Sequence, residues 1–501
     1  MNIYQPTVNV MQLQDKLHQA LTLHRQGLSL PAQAIYQEIL SIDPHHFDAL
    51  HLLGVARAQS GQHQEAVNLI SKAISINPNH PSSHCNLGNA FYKLNELDAA
   101  MQSYDQALRL KPDFADAYSN RGNALRDLGR LQEALINYNR AIALNPQLAD
   151  AYTNLGNALK ELGYLDSAEQ NYRASIVINP NFHDAYWCLS LLLLLRGQFE
   201  EGWRLYEHRW KINDGGPEKR AFAQPLWLGD VSLQGKSILI HSEQGFGDSL
   251  QFCRYLPQVK ALAGRVVLEV ERSLMSTMAT LHSADLIVPK GRPLPPCDYH
   301  CPLLSLPLAF KVSAVTDIPI AVPYLRASAE RIAIWDARLG KKLKPRIGLV
   351  WSGSSTHKMD HHRSIALEEL VDHLPSQFEY VSLQRDVRDR DLAILRKHHE
   401  IRHFGELLND FSETAALCEL VDLVVSVDTS LVHLAGAMGK PTWLLLPFSP
   451  DWRWLLGRED NPWYPTMRLF RIENGEAGWR PVLAKLTRAL LEWHEQQGPI
   501  N

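Results

Sequence analysis

Two short loops carry the residue types best suited to chemistry, each placed between an apolar run and an amphipathic one. In the first, Glu243-Gln244-Gly245-Phe246-Gly247-Asp248, the glycines admit a close backbone approach, and Asp248 supplies a carboxylate beyond the carboxyl end of a strand. In the second, Val427-Asp428-Thr429-Ser430-Leu431-Val432-His433 runs into a helix that ends at Gly439-Lys440-Pro441. The free N–H groups and positive dipole end at such a helix start suit a diphosphate, with His433 one turn in. Plainer readings stand beside these. Asp248, Thr429 and Ser430 are all good N-caps, and His433 reads equally as a core imidazole bonded to a carbonyl.

Such loops need strands behind them. Lys236–Glu243, Arg265–Glu271 and Asp285–Pro289 read as buried parallel strands, with a helix over Ser249–Leu262 between the first two. A second series follows at Arg346–Trp351, Phe378–Leu383, Val421–Val427 and Pro441–Leu446. Two Rossmann-like units joined near residues 327–344 predict a two-lobed α/β fold with a ligand cleft between the lobes.

The amino-terminal part is built differently. Pro44, Pro78, Pro112, Pro146 and Pro180 stand 34 residues apart. Gly54, Gly88, Gly122 and Gly156 keep the same step, as do Gly129, Gly163 and Gly197, with Asn95 in that second phase. Units of this length are helix pairs that bury their apolar faces only by stacking. The pattern resembles the tetratricopeptide repeat over roughly residues 11–214, and predicts an α-solenoid. Asn86, Asn120 and Asn154 recur in the first helices, with Asn89, Asn123 and Asn157 three residues on. A primary amide pairs with a peptide backbone whatever its side chains, so these columns are candidates for gripping an extended protein. The alternative is that they are solvated or bind neighbouring helices. The columns are similar to the asparagine ladder of O-linked N-acetylglucosamine transferases. The last unit degrades into an aromatic-rich segment whose Trp203, Tyr206 and Trp210 predict docking on the second half.

The 501 residues, 45% hydrophobic and 21% charged with a net charge of −4, give no electrostatic footprint for nucleic acid. The longest leucine run is too short for a bilayer, and the six scattered cysteines suit a reducing, cytoplasmic setting.

The first loop and Asp428–Pro441 resemble the heptosyltransferase-type glycosyltransferases of family 9, which have the two-lobed GT-B fold, across about residues 232–495. The resemblance implies domains at 1–214 (repeats), 215–231 (linker), 232–340 (acceptor-side lobe) and 344–501 (donor-side lobe). It implies Asp248 as catalytic base, in a loop with Gly245, Phe246 and Gly247 on the acceptor side. Asp428, Thr429, Ser430, Leu431 and His433 would bind the donor, with Ser430 replacing the family's usual glycine. Ser352 and Gly353 open a loop in which Arg363, then Lys358, are the candidates for a phosphate contact. Gln384, ending a strand, is placed to read a nucleobase, and Asp298 and His300 are placed on the acceptor side. Residues 448–464 are unlike short heptosyltransferases, and Trp452, Trp454 and Trp463 read as core. Asp389-Arg390-Asp391 imitates a metal-binding triplet but sits in a helix-like run and reads as surface charge; Cys297, His300 and Cys301 lack a fourth metal ligand. The expected activity is metal-independent, inverting transfer from a nucleotide sugar to a hydroxyl, with a protein acceptor held by the repeats and no cofactor. A glycan or lipid-linked acceptor, and an inactive scaffold, are the alternatives.

Overall fold

The computed structural model describes residues 6–212, 216–354, 360–475 and 478–497. Lys358 and Asn213–Gly215 lie outside them. The chain forms two compact units, Met1–Ala185 and Tyr186–Asn501.

The first unit is a solenoid of paired helices, among them Pro81–Lys93 with Leu97–Leu110, Ala115–Asp127 with Leu131–Leu144, and Ala149–Glu161 with Leu165–Ile178. The repeating glycines follow from packing. A Cβ on Gly88, Gly122 or Gly156 would lie 2.5–2.6 Å from the ring of Tyr104, Tyr138 or Tyr172 in the second helix of the pair. Each tyrosine then lays its ring on the bare backbone and donates its hydroxyl to Asn89, Asn123 or Asn157 at 2.8–2.9 Å. One asparagine column is thus joined to its own repeat. In the other, the Asn86 amide donates to Nε2 of His51 at 2.9 Å and Asn120 to Sγ of Cys85 at 3.8 Å, reaching the preceding repeat. Gly129 and Gly163 turn the chain at φ 75° and 82°, and Asn95 takes the same left-handed turn at φ 62°.

The second unit begins inside the helix His183–Leu195, earlier than the residue 214 expected from the repeat. The helix Phe199–Tyr206 buries Phe199, Trp203 and Tyr206 in the α/β core, so the docking expected of Trp203 and Tyr206 is observed, while Trp210 is half-buried outside that core cluster. Trp203 meets Trp452 edge to face at 5.2 Å.

Two all-parallel sheets follow. The first has the order β3-β2-β1-β4, from β1 (Ser237–His241), β2 (Arg265–Val270), β3 (Leu286–Pro289) and β4 (Tyr299–Pro302). The second has the order β10-β9-β8-β5-β6-β7, from β5 (Arg346–Val350), β6 (Glu379–Ser382), β7 (Ile401–His403), β8 (Leu423–Val427), β9 (Thr442–Leu446) and β10 (Met467–Arg471). β5 and β8 pair in register from Ile347–Leu423 to Val350–Ser426, which carries their following loops to one edge. The C-terminal helix Arg480–Gln497 covers the second sheet through Val482, Leu483, Leu486 and Leu490. The helix expected over Ser249–Leu262 is broken into Phe246–Phe252, a short 3-10 turn and Leu256–Leu262, because Pro257 has no N–H for a helical hydrogen bond. Among the described residues, no helix is long and apolar enough to cross a membrane.

Two outcomes test this packing. Gly122→Ala should cost about 1–3 kcal/mol, the range for overfilling a packed core, read as an earlier thermal transition of the repeats. His51 is buried beside His80 and held near pKa 4 rather than 6.5, mainly by burial. Its contribution to stability is therefore complete above pH 6.5 and lost as pH falls towards 4. Between pH 7 and 5 the wild type should lose more thermal stability than His51→Gln; equal losses would contradict this.

Candidate active site

β1 delivers the first loop. Glu243 is gripped by the guanidinium of the fully buried Arg209 at 3.1–3.2 Å, which also donates to Ser305 Oγ at 2.7 Å. Burial pushes the Glu243 carboxyl up to about 7, against the pull of Arg209. Gln244 donates to the Tyr206 hydroxyl at 3.3 Å. The docked end of the repeat region thus braces the loop. The next residues start the helix Phe246–Phe252, and Asp248 Oδ2 accepts the N–H of Gly245 at 2.8 Å. The capping role of Asp248 is real. Its other oxygen, however, accepts from the guanidinium of Arg453, which comes from the opposite lobe. Burial raises the Asp248 pKa, and Arg453 is the chief opposing influence.

β8 delivers the second loop. Thr429 has the extended backbone of an N-cap for the helix Ser430–Ala437, yet its side chain makes no capping bond. Its Oγ1 is buried without a partner. A buried hydroxyl left unpaired costs about 1–3 kcal/mol, so capping does not account for this residue. Burial, with Asp451 adding to it, raises the Asp428 carboxyl to about 6, while Arg363 and Arg453 pull it back. His433 is buried, shares a hydrogen bond with the Tyr464 hydroxyl at 3.0 Å and stacks on Trp454 at 5.3 Å. Burial, followed by the nearby guanidinium groups, holds it neutral.

The two loops meet directly. A Cβ on Gly247 would stand 2.7 Å from the His433 ring and 3.4 Å from Cα of Ser430, so only glycine lets the two helices approach this closely. Beside this contact lies a cleft of about 550 Å³. Of the residues expected from sequence, Phe246, Ser352, Gly353, Gln384, Thr429, Ser430 and Leu431 line it. Phe246 faces Phe411 of the other lobe at 5.2 Å. Asp248, Asp428, Arg363 and His433 do not line the cleft. They form a polar seam next to it, in which His433 is neutral, with Asp248 and Asp428 two and one residues from lining positions.

Several expectations need correction. Gln384 is not available to read a base: Oε1 accepts from Trp351 and Ser352 N–H at 2.6 and 2.9 Å, and Nε2 donates to Ser352 Oγ and Asp386 O at 3.0 and 3.2 Å. All four of its hydrogen-bonding positions are occupied, three of them by Trp351 and Ser352 and the fourth within its own loop. Asp298 accepts from the N–H and hydroxyl of Ser237, at the amino end of β1 and so at the end opposite to the Gly245 loop. His300 lies within β4, stacked on Phe222 at 4.3 Å and bonded to His241 at 3.2 Å. Neither is brought to Asp248. Asp391 is buried rather than surface charge, and accepts from the Trp351 indole at 3.1 Å and Leu367 N–H at 3.3 Å. Trp452, Trp454 and Trp463 are core, as expected.

Arg388 and Arg453 escaped the sequence reading. Arg388 lines the cleft and holds Asp360 together with Arg363; its Nε is buried without a partner. The signal available was its place just after β6, at the carboxyl edge of a parallel sheet. Arg453 was hidden among tryptophans that read as core.

Comparison with known proteins separates the two halves. Tetratricopeptide-repeat models match residues 56–95, 88–125, 122–163 and 149–182. The model for glycosyltransferase family 9 (heptosyltransferase) matches residues 384–445, which hold the Asp428–His433 loop. Protein FlbA of Caulobacter vibrioides is 28% identical over 331 residues, 61% of this chain and 54% of that protein, so the match spans about half its length. Among solved structures, a thermophilic tetratricopeptide-repeat protein of Thermus thermophilus is 21% identical, with 36% of this chain and 99% of that one covered and a TM-score of 0.34. YrrB, described as a repeat protein with an unusual peptide-binding site, is 18% identical, with 34% and 89% covered and a TM-score of 0.28. The chain is a tetratricopeptide solenoid followed by a two-sheet α/β region with a glycosyltransferase-type segment.

Thr429 supplies a direct check. Thr429→Val removes only an unpaired hydroxyl, so thermal stability should hold or rise slightly. A clear loss of stability would show that the hydroxyl has a structural partner.

Proposed function

We propose that the protein transfers a glycosyl group from a nucleoside diphosphate sugar to a hydroxyl, with inversion. The observation that carries this reading is the meeting of the Asp248 loop and the Thr429–His433 loop through Gly247, beside a cleft of about 550 Å³ lined from both lobes. Asp248 takes the acceptor proton as the hydroxyl oxygen bonds to the anomeric carbon. The bond from that carbon to the diphosphate oxygen breaks, and the nucleoside diphosphate departs with the electron pair. General-base assistance of this kind contributes roughly 10²–10⁴ in rate. The departing charge is met by the first N–H groups of the helix Ser430–Ala437, by the Thr429 hydroxyl, and by Arg363 and Arg388. Arg363 and Arg388 share Asp360, so each is held in place before a ligand arrives.

The proposed acceptor is Ser or Thr of a protein bound by the repeats. The internal bonds of Asn86, Asn89, Asn120, Asn123 and Asn157 favour a second reading, in which the acceptor is a glycan or lipid-linked sugar and the repeats recruit partners. Changing Asn86, Asn120 and Asn154 together to alanine should abolish transfer to protein and spare donor hydrolysis; a wild type that modifies no protein but transfers to a glycan or lipid-linked sugar would select the second reading.

Asp248→Asn should keep nucleoside diphosphate affinity within a few fold and lose about 10²–10⁴ in turnover of a nucleotide sugar. Calorimetry with ADP, GDP and UDP, followed by turnover assays with the matching sugars, reads both. A wild type that binds none of these nucleotides would overturn the proposed function.

A further inference from the structure

Arg453 joins residues from both halves of the site. It sits in the turn Trp452–Trp454, in the segment after β9. Its Nε donates to Gln251 Oε1 at 2.8 Å, Nη1 to Asp451 Oδ1 at 2.8 Å, and Nη2 to Asp248. Asp248 and Gln251 stand on successive positions of one face of the helix Phe246–Phe252. The guanidinium plane lies over the Trp452 ring at 4.2 Å, and Trp452 is held by Trp203 and Tyr206. Every nitrogen of the fork has a partner and the side chain is 9% exposed, so the group has one orientation.

The surroundings give that orientation a consequence. The groups acting on Asp248 are Arg453 and Asp451 from the segment after β9, and Glu271 from the turn after β2. Glu243 of its own loop and Tyr206 of the docked helix feel its charge in turn. Of these only Arg453 is a cation. Without it, a half-buried carboxylate would face three other carboxyl groups.

We propose that Arg453 is a positioning residue for the transfer: it fixes the direction of the Asp248 carboxylate and keeps it anionic inside the seam between the lobes. The fork occupies one lone pair of Oδ1, and Gly245 N–H occupies one of Oδ2. One site on each oxygen stays open for the acceptor proton. Arg453 itself neither takes nor gives a proton. The inference rests on the reading of Asp248 as the base.

The test uses the full chain and whichever UDP-, GDP- or ADP-activated sugar it turns over. Rate against pH is measured for wild type, Arg453→Gln, Arg453→Lys and Asp451→Asn, with calorimetry of the matching nucleotide as a separate readout. Arg453→Gln should lower kcat about ten- to a hundredfold, the cost of a misplaced catalytic group, and move the acid limb to higher pH, with nucleotide affinity within threefold of wild type. Arg453→Lys should recover the position of the acid limb and only part of the rate. Asp451 is more exposed, so Asp451→Asn should fold even where the arginine variants do not, and its acid limb should move to lower pH. An unmoved acid limb in folded Arg453→Gln, or in Asp451→Asn, would overturn the proposal. A fall in nucleotide affinity equal to the fall in kcat would overturn it too, by making Arg453 a donor ligand. A wild type without nucleotide binding would remove the transferase reading instead, and this inference with it.

Discussion

The site depends on one close approach between helices of different lobes. Gly247, in the first turn of Phe246–Phe252, lies against the His433 ring and the Ser430 backbone, where a methyl group would sit at 2.7 Å. That contact determines what else can be near. It places Asp248 within reach of Arg453, and Phe246 opposite Phe411, which closes one side of the cleft. His433 serves this contact as a neutral, stacked core residue, so its motif position and its packing role coincide.

Holding the lobes this way requires charge inside protein. Arg209 is wholly buried with Glu243, and Arg254 crosses between lobes to donate to the Trp463 carbonyl at 2.7 Å and the Tyr324 hydroxyl at 3.0 Å. Removing one member of the Arg209–Glu243 pair costs about 3–5 kcal/mol, mostly because the other is left uncompensated. Each of these groups is nevertheless fully tied, and each fixes a loop rather than filling a core. The Arg209 pair is notable for its source. It comes from the end of the last degenerate repeat and holds the strand end that leads to Asp248, so the repeat region's final helix is a structural part of the α/β unit.

Much of this was legible in the chain. The solenoid was, because each 34-residue unit repeats the same packing problem, visible in Gly122 with Tyr138 and in Asn95 standing where other units have glycine. β1, β2, β3, β5, β6, β8 and β9 were legible as apolar runs. β4, β7 and β10 were not, since they are sheet edges that carry His300, Arg402, His403, Arg468 and Arg471 on their half-covered faces. The loops with Asp248 and Asp428 were readable because their residues are contiguous. Arg453, Arg388 and Arg209 were not, because their meaning lies in partners far along the chain, Arg453 and Asp248 being 205 residues apart. The end of the repeat period likewise does not reveal which core the last unit joins, so the division expected at residue 214 lies instead at Ala185–Tyr186.

The central claim is that the two loops share one small molecule. Hydrogen exchange resolved to peptides, with and without a saturating nucleoside diphosphate, measures this directly. Slowed exchange in both 243–250 and 428–435 is expected. Slowed exchange confined to either loop alone would contradict a common site.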